Sequence, residues 1–89
     1  MDDDRLQTLY DHLAATAERP VERTASRWLG EAEAIAEDVA YGTMEPAVRR
    51  ERLEKVDHLL DNVDSTGDAT ADDHVGEART LVDTLLDDG

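Results

Sequence analysis

Residues 20–41 read PVERTASRWLGEAEAIAEDVAY and decide the fold, because their apolar side chains recur at alternating steps of four and three. This is the period of one face of an α-helix. The face consists of Val21, Ala25, Trp28, Ala32, Ile35 and Val39. Proline suits the first position of a helix and glycine commonly follows the last turn, so Pro20 and Gly42 predict a helix over residues 20–41. The alternative is one longer helix, continuous with the preceding residues and kinked at Pro20.

Three further amphipathic segments flank this helix, and they predict helices over residues 3–18, 46–63 and 71–87. Thr70 with Asp73 resembles a capping box that starts the last of them. The predicted inward residues are, in chain order, Leu6, Leu9, Tyr10, Leu13 and Ala17, then Val48, Leu53, Val56, Leu59, Leu60 and Val63, then Ala71, Val75, Ala78, Val82 and Leu85. Helices joined by short connections favour antiparallel neighbours. The sequence therefore predicts an all-α, antiparallel four-helix bundle that forms a single domain over residues 1–89.

The charge balance narrows the classes of function. The 89 residues include 23 Asp and Glu against nine Lys and Arg, for a formal net charge of −14, and no cysteine. The lack of cysteine excludes disulfides, thiolate metal sites and cysteine nucleophiles. No basic patch is available to neutralise phosphates, so we expect no nucleic-acid partner. Residues 1–4, MDDD, are unlike a secretory signal, and no apolar run approaches the ~20 residues that span a bilayer. We therefore expect a cytoplasmic protein without a membrane partner.

The acidity also indicates an environment. Eight of the nine basic residues are arginine, Ala, Thr and Val are abundant, and there is no Phe. This composition resembles that of the cytoplasmic proteins of haloarchaea. The resemblance is one of composition, covers the whole chain and implies a small acidic helical protein of a salt-rich cytoplasm. Molar salt shortens the Debye length to roughly 3 Å and would screen the self-repulsion of such a chain. Mimicry of nucleic acid is the alternative explanation of the charge.

The connection between the third and fourth helices carries oxygen-bearing side chains at alternate positions. In a twelve-residue loop, Asn62, Asp64, Thr66, Asp68, Thr70 and Asp73 take positions one, three, five, seven, nine and twelve, with Gly67 at six. The pattern resembles an EF-hand calcium loop, which implies a divalent-cation-binding helix–loop–helix over residues 62–73. It departs from the EF-hand at Asn62 and at Asp73, where that loop has Asp and a bidentate Glu. The alternative is a plain connection, with Gly67 in a left-handed turn and Thr70 as the cap, and we accordingly predict no metal or cofactor.

The histidines are predicted to be solvated surface residues without a shared site. Each of them follows an aspartate, and a carboxylate beside an imidazole orients the metal ligand in many sites. A helical projection places His12 and His58 opposite the apolar faces of their helices, and only His74 beside one. The sequence therefore predicts no histidine metal centre.

No arrangement of residues supports a nucleophile, a phosphate-binding loop or a general acid–base pair, so the chain is predicted to be non-enzymatic. A residual enzyme hypothesis rests on acids along the outer face of the third helix, namely Glu51, Glu54, Asp57 and Asp61. They resemble the carboxylates with which all-helical nucleoside-triphosphate pyrophosphatases hold magnesium. Those enzymes also use a Glu-x-x-Glu pair on the preceding helix, whereas here alanine stands three residues after Glu31, Glu33 and Glu37.

Arg49 and Arg52 are the candidate interface residues, because both project towards the apolar sector of the third helix. A planar guanidinium suits contact with an anion or a partner protein. In the alternative, their stems cover the bundle edge while their charged ends reach acids on a neighbouring helix. Trp28 is predicted to be a core residue, with a partner-protein anchor as the alternative. The sequence thus favours a helical module that binds a protein partner or self-associates as a homo-oligomer.

Overall fold

The computed structural model describes residues 4–88, which form four α-helices and contain no strand. The helices are α1 (Asp4–Thr16), α2 (Arg23–Tyr41), α3 (Pro46–Asp61) and α4 (Ala69–Asp88). Each helix packs against its neighbours in sequence, and α1 also packs against α4. The result is an antiparallel bundle with extents of 35 × 19 × 18 Å. The predicted all-α bundle is confirmed, and Asp3, the predicted first residue of the first helix, lies outside the described residues.

The core is built from aliphatic side chains of all four helices. Leu9, Leu13, Val56, Leu60 and Val82 have no exposed surface. The predicted inward face of α4 is confirmed along its whole length, and its buried members are Ala71, Val75, Ala78, Val82 and Leu85. Removing such side chains from water is the main stabilising contribution to a bundle of this size. Among residues 4–88, no helix has the length and apolar character needed to cross a membrane.

The inward face of α2 is dominated by small residues and includes Leu29 rather than Trp28. Its buried members are Ala25, Leu29, Ala32, Ala36 and Val39. The alanines leave little space between α2 and its neighbours, so a bulky indole does not fit at the centre of the face. Trp28 instead packs half-buried against the rim of the core, as does Ile35. Trp28 thus packs against the core without being fully buried, so the prediction of a core residue is confirmed only in part.

Helices α1 and α2 are separate, so the kinked-helix alternative is wrong, and both are shorter than predicted. The amides of Ala17, Glu18 and Arg19 bond to carbonyls three residues earlier, which tightens the chain after Thr16. Helix α2 begins at Arg23 rather than at Pro20, because the Glu22 amide donates to the Thr66 carbonyl at 2.8 Å. This bond to the other connection holds the backbone of Glu22 extended, at φ −61° and ψ 149°.

The boundaries between α3 and α4 also differ from those predicted. Helix α3 ends at Asp61 rather than at residue 63, because the Asn62 and Val63 amides bond to carbonyls three residues earlier. Helix α4 begins at Ala69 rather than at residue 71, and Asp68 caps it by accepting the Ala71 amide at 2.9 Å. The predicted cap at Thr70 is therefore wrong. Gly67 has φ +83°, which confirms the predicted left-handed turn.

Candidate interaction surface

The exposed large hydrophobic residues of the described chain both lie beside the connection between α2 and α3. Tyr41, the last residue of α2, is 59% exposed, and Val48, in the first turn of α3, is 36% exposed. The Tyr41 ring meets Tyr10 of α1 edge to face, with 5.7 Å between the ring centroids. A hydrogen bond with Glu37 raises the pKa of the Tyr10 hydroxyl above its ordinary value. One end of the bundle therefore presents apolar surface to solvent next to acidic side chains.

A small cluster on α3, which we call the α3 patch, consists of Glu45, Val48, Arg49 and Arg52. Glu45 immediately precedes the helix, and its side chain makes no capping hydrogen bond. Val48 and Arg52 lie three and seven residues further on, which places all three on one side of the helix. Both charged residues of this trio are exposed. Arg49, half-buried at the edge of the same cluster, has a buried Nε without a hydrogen-bond partner among the described residues.

The two arginines predicted to form an interface thus differ in environment. The buried face of α3 consists of Leu53, Val56, Leu59 and Leu60. This face turns Val48 and Arg52 outward, so the predicted inward position of both residues was wrong. The stem of Arg49 does cover the bundle edge, as the alternative held. Neither arginine forms an ion pair with an acid of a neighbouring helix within residues 4–88.

The α3 patch lies in a locally basic segment of an acidic molecule. Residues 46–55 carry four basic and two acidic side chains, whereas the rest of the chain carries five basic and 21 acidic ones. One member of the segment, Arg50, is used within the fold, since it donates to the Leu86 carbonyl at 2.9 Å. Because like charges repel, this segment is a place where another acidic surface approaches at a lower electrostatic cost.

The predicted cation loop, residues 62–73, is organised by hydrogen bonds among its own side chains. Thr66 is fully buried, and both its amide and its hydroxyl donate to Asp72 Oδ1 at 2.8 Å. Asp68 accepts the Ala71 amide and also a bidentate contact from Arg19, with both N–O distances at 3.0 Å. Residues 69–73, which supply the last five positions of the pattern, belong to helix α4. These contacts account for the loop as a helix connection. That the loop binds no cation stays a prediction, and a calcium titration tests it against the alternative of a cation-binding loop.

The structure brings together two histidines that the sequence did not connect. His12 of α1 and His74 of α4 lie with their Nδ1 atoms 2.9 Å apart and their ring centroids 5.2 Å apart. Both side chains are half-buried, so the predicted solvated position of His12 opposite the apolar face was wrong. His58 is exposed, as predicted. Within residues 4–88, no group of three or more His, Cys, Asp or Glu side chains has an arrangement that could hold a metal ion.

Two of the four acids on α3 that suggested a residual enzyme hypothesis, Asp57 and Asp61, lie towards α4. Asp61 accepts from Arg79 of α4 at 2.8 Å. The pKa of the Asp57 carboxyl is raised, most by its partial burial and further by the negative charges of the neighbouring Asp61 and Asp83. Asp61 therefore pairs with α4, whereas Asp57 lies against α4 among like charges.

The fold and its surfaces define a small acidic four-helix module whose α3 patch combines apolar and oppositely charged side chains. The chain belongs to the family described as "Domain of unknown function (DUF8152)", whose model matches residues 5–89. No curated protein and no solved structure matches the chain. The family match therefore spans nearly all of the four-helix bundle.

Proposed function

We propose that this chain is a non-enzymatic, halophile-adapted helical module of the cytoplasm that acts by self-association through the α3 patch. The observation that carries the proposal is the order of side chains along one side of α3: an acid at Glu45, an apolar residue at Val48 and a base at Arg52. Such a surface is self-complementary. A second copy related by a twofold axis presents the same three groups in reverse order.

The spacing of the three residues fits an antiparallel crossing of two α3 helices at Val48. With a rise of about 1.5 Å per residue, Glu45 lies about 4.5 Å on one side of Val48 and Arg52 about 6 Å on the other. When the two valines face each other, Glu45 of the second copy therefore falls between Arg49 and Arg52. A carboxylate there would lie close to the guanidinium groups of Arg49 and Arg52 and could pair with the charge of either.

The charge of the molecule supports the same site. Two copies that each carry a formal net charge of −14 repel each other, least where basic residues are concentrated. Residues 46–55 are such a segment. Salt weakens the overall repulsion, so we expect association to strengthen as ionic strength rises. This dependence agrees with the halophilic composition. A contact held by ion pairs alone would instead weaken as ionic strength rises.

A charge-reversal experiment tests the proposal. Sedimentation equilibrium in about 0.5 M potassium chloride leaves a Debye length of roughly 4 Å, which screens distant charges but not a contact pair. We expect Arg52→Glu and Glu45→Arg each to weaken the dimer by roughly tenfold, because each variant brings like charges together. The double variant, Glu45→Arg with Arg52→Glu, restores the pair with its polarity exchanged and should recover most of the affinity.

Arg27→Glu serves as the matched control for Arg52→Glu, since it makes the same change of charge at an exposed position of α2, away from the α3 patch. It should dimerise nearly as well as the wild type. The proposal fails if the wild type stays monomeric at every salt concentration. It also fails if the double variant associates no better than the single variants. In that case the remaining hypothesis is binding of a different protein partner.

A further inference from the structure

Two imidazoles from distant parts of the sequence meet head-on where α1 packs against α4. The Nδ1 atoms of His12 and His74 are 2.9 Å apart, and their ring centroids are 5.2 Å apart. The two rings therefore point at each other through these nitrogens, as in a single N–H···N hydrogen bond. Both side chains are half-buried, and 62 residues separate them in sequence. The bond is thus formed by the fold and is absent from the unfolded chain.

The hydrogen bond requires that one of the two Nδ1 atoms carries no proton. In a neutral imidazole one ring nitrogen donates and the other accepts, whereas both nitrogens of the charged form donate. The neutral pair can take up one proton at the Nε2 atom of the donating ring, which makes the bond charge-assisted and keeps its acceptor. A second added proton has to occupy the Nδ1 atom of the accepting ring. The bond is then lost, and two like charges lie in contact.

The charged groups of α1 and α4 around the pair are mostly acidic. Glu77 lies one helical turn after His74 and can accept a hydrogen bond from that ring once the pair separates. Asp11 and Asp73 directly precede the two histidines in the chain, and both are exposed. Further along α1 and the residues that follow it are Arg5, seven residues before His12, and Arg19, seven residues after it, which pairs with Asp68.

The charged groups that α2 and α3 turn towards the bundle lie away from the pair. Those of α2 act on Tyr10, which is about 160° from His12 around α1. Those of α3 lie beside Arg79, which is about 140° from His74 around α4. The groups concerned are Glu33 and Glu37 of α2, and Asp57 and Asp61 of α3 with Asp83 of α4. The contact between the two rings is therefore decided first by the protons that the rings themselves carry.

We propose that the His12–His74 hydrogen bond is a pH-sensitive link between α1 and α4, which is formed at neutral pH and released at about pH 5. The link is present in the neutral pair and in the pair with one added proton, and it is lost when both rings are charged. Because the bond exists only in the folded chain, its contribution to stability is present near neutral pH and is lost as pH falls. Its release loosens the contact between the first and the last helix. The link is independent of the α3 patch, which lies on another helix.

An NMR measurement on the full wild-type chain detects the bond directly and needs no variant. In ¹⁵N-labelled protein at about 2 M potassium chloride, which screens distant charges, spin coupling across an N–H···N bond joins the two nitrogen nuclei. We expect this coupling between the Nδ1 atoms of His12 and His74 at about pH 7.5, and its loss towards about pH 5 before the helical circular dichroism signal falls. His58, exposed on α3, should show no such coupling. No coupling at neutral pH, an unchanged coupling in acid, or its loss only together with the helices would overturn the proposal.

A double-mutant cycle in the same salt measures what the bond contributes to stability. Alanine removes each ring without offering a new hydrogen bond, so the effects of His12→Ala and His74→Ala should overlap at about pH 7.5. We expect the double variant to lose roughly 3–6 °C less in Tm than the sum of the single variants. At about pH 5 this difference should vanish or change sign. His12→Ala combined with His58→Ala is the matched control, and its two effects should add at both pH values. The same departure from additivity at both pH values for His12→Ala with His74→Ala would contradict a pH-sensitive link.

Discussion

Arg19 and Asp68 form a bidentate ion pair that joins the two connections at one end of the bundle, with both nitrogen–oxygen distances at 3.0 Å. The same carboxylate caps α4 through the Ala71 amide. Next to it, the Glu22 amide donates to the Thr66 carbonyl at 2.8 Å. The start of α2 and the start of α4 are thus fixed by a single cluster of polar contacts.

This cluster predicts a dependence of stability on pH. Hydrogen bonds to the Asp68 carboxyl lower its pKa, and the bond from the Arg19 guanidinium has a larger effect than the bond from the Ala71 amide. A carboxyl whose folded-state pKa is depressed contributes stability above its ordinary pKa, and that contribution is lost as pH falls through the folded-state pKa. We expect Asp68→Asn to lower Tm by several degrees at neutral pH and by progressively less in acid. Asp64→Asn, in the same connection, is the control and should change Tm little at any pH.

Asp57 should show the opposite sign. Desolvation and then the neighbouring Asp61 and Asp83 raise the pKa of its carboxyl, so ionisation of Asp57 costs stability as pH rises through that pKa. Asp57→Asn should therefore raise Tm by a few degrees at pH 7 and have no effect in acid, below the ordinary pKa of aspartate. Asp38→Asn makes the same change of charge at an exposed position of α2. An equal gain from both variants at pH 7 would assign the effect to net charge alone.

Leu29 rather than Trp28 should be the critical apolar residue of α2. Leu29 is 2% exposed, whereas Trp28 is half-buried at the rim. We expect Leu29→Ala to lower the free energy of unfolding by about 3 kcal/mol, within the range for buried leucines. Trp28→Ala should cost only about 1–2 kcal/mol, because the indole stays partly exposed in the folded chain and so buries less apolar surface. A larger loss for Trp28→Ala in urea unfolding at high salt would contradict this placement.

The net charge predicts a strong effect of salt on folding. Acidic side chains crowd a surface of 5616 Å², and the ion pairs Arg19–Asp68 and Arg79–Asp61 offset few of them. Screening should therefore raise both helical content and Tm between ~0.1 M and ~2 M potassium chloride. Circular dichroism measures both quantities. The same Tm at the two salt concentrations would contradict the halophilic interpretation.

Periodicity predicted the fold because the apolar positions of all four helices repeat at helical spacing. It missed the helix boundaries at Arg23 and Ala69, because these depend on bonds between two connections that are distant in sequence. Local preferences for Pro20 and Thr70 could not reveal the Glu22–Thr66 bond or the competing cap at Asp68.

The histidine pair was missed because the apolar face of α1 was centred on the wrong residues. Thr16 is 1% exposed, and its hydroxyl is satisfied by the Leu13 carbonyl at 2.6 Å, so a polar residue is buried without penalty. Replacing Tyr10 and Ala17 by Thr16 in the predicted face rotates it by roughly 35° on a helical projection. That rotation moves His12 from the far side of α1 to the edge that meets α4. The sequence signal for this face was the position of Thr16, which continues the helical spacing of Leu9 and Leu13.

The most direct test of self-association through the α3 patch is a disulfide across the proposed twofold axis. The chain has no cysteine, so Val48→Cys introduces a single thiol at the point where the two α3 helices cross. Disulfides require Cα atoms roughly 4.4–6.8 Å apart, a distance that only closely apposed positions reach. Thr80→Cys places a thiol on the exposed side of α4 as the control. Under mild oxidation in high salt, we expect Val48→Cys to form a covalent dimer rapidly and nearly completely, and Thr80→Cys to remain monomeric. Equal rates of dimer formation in the two variants would contradict the account.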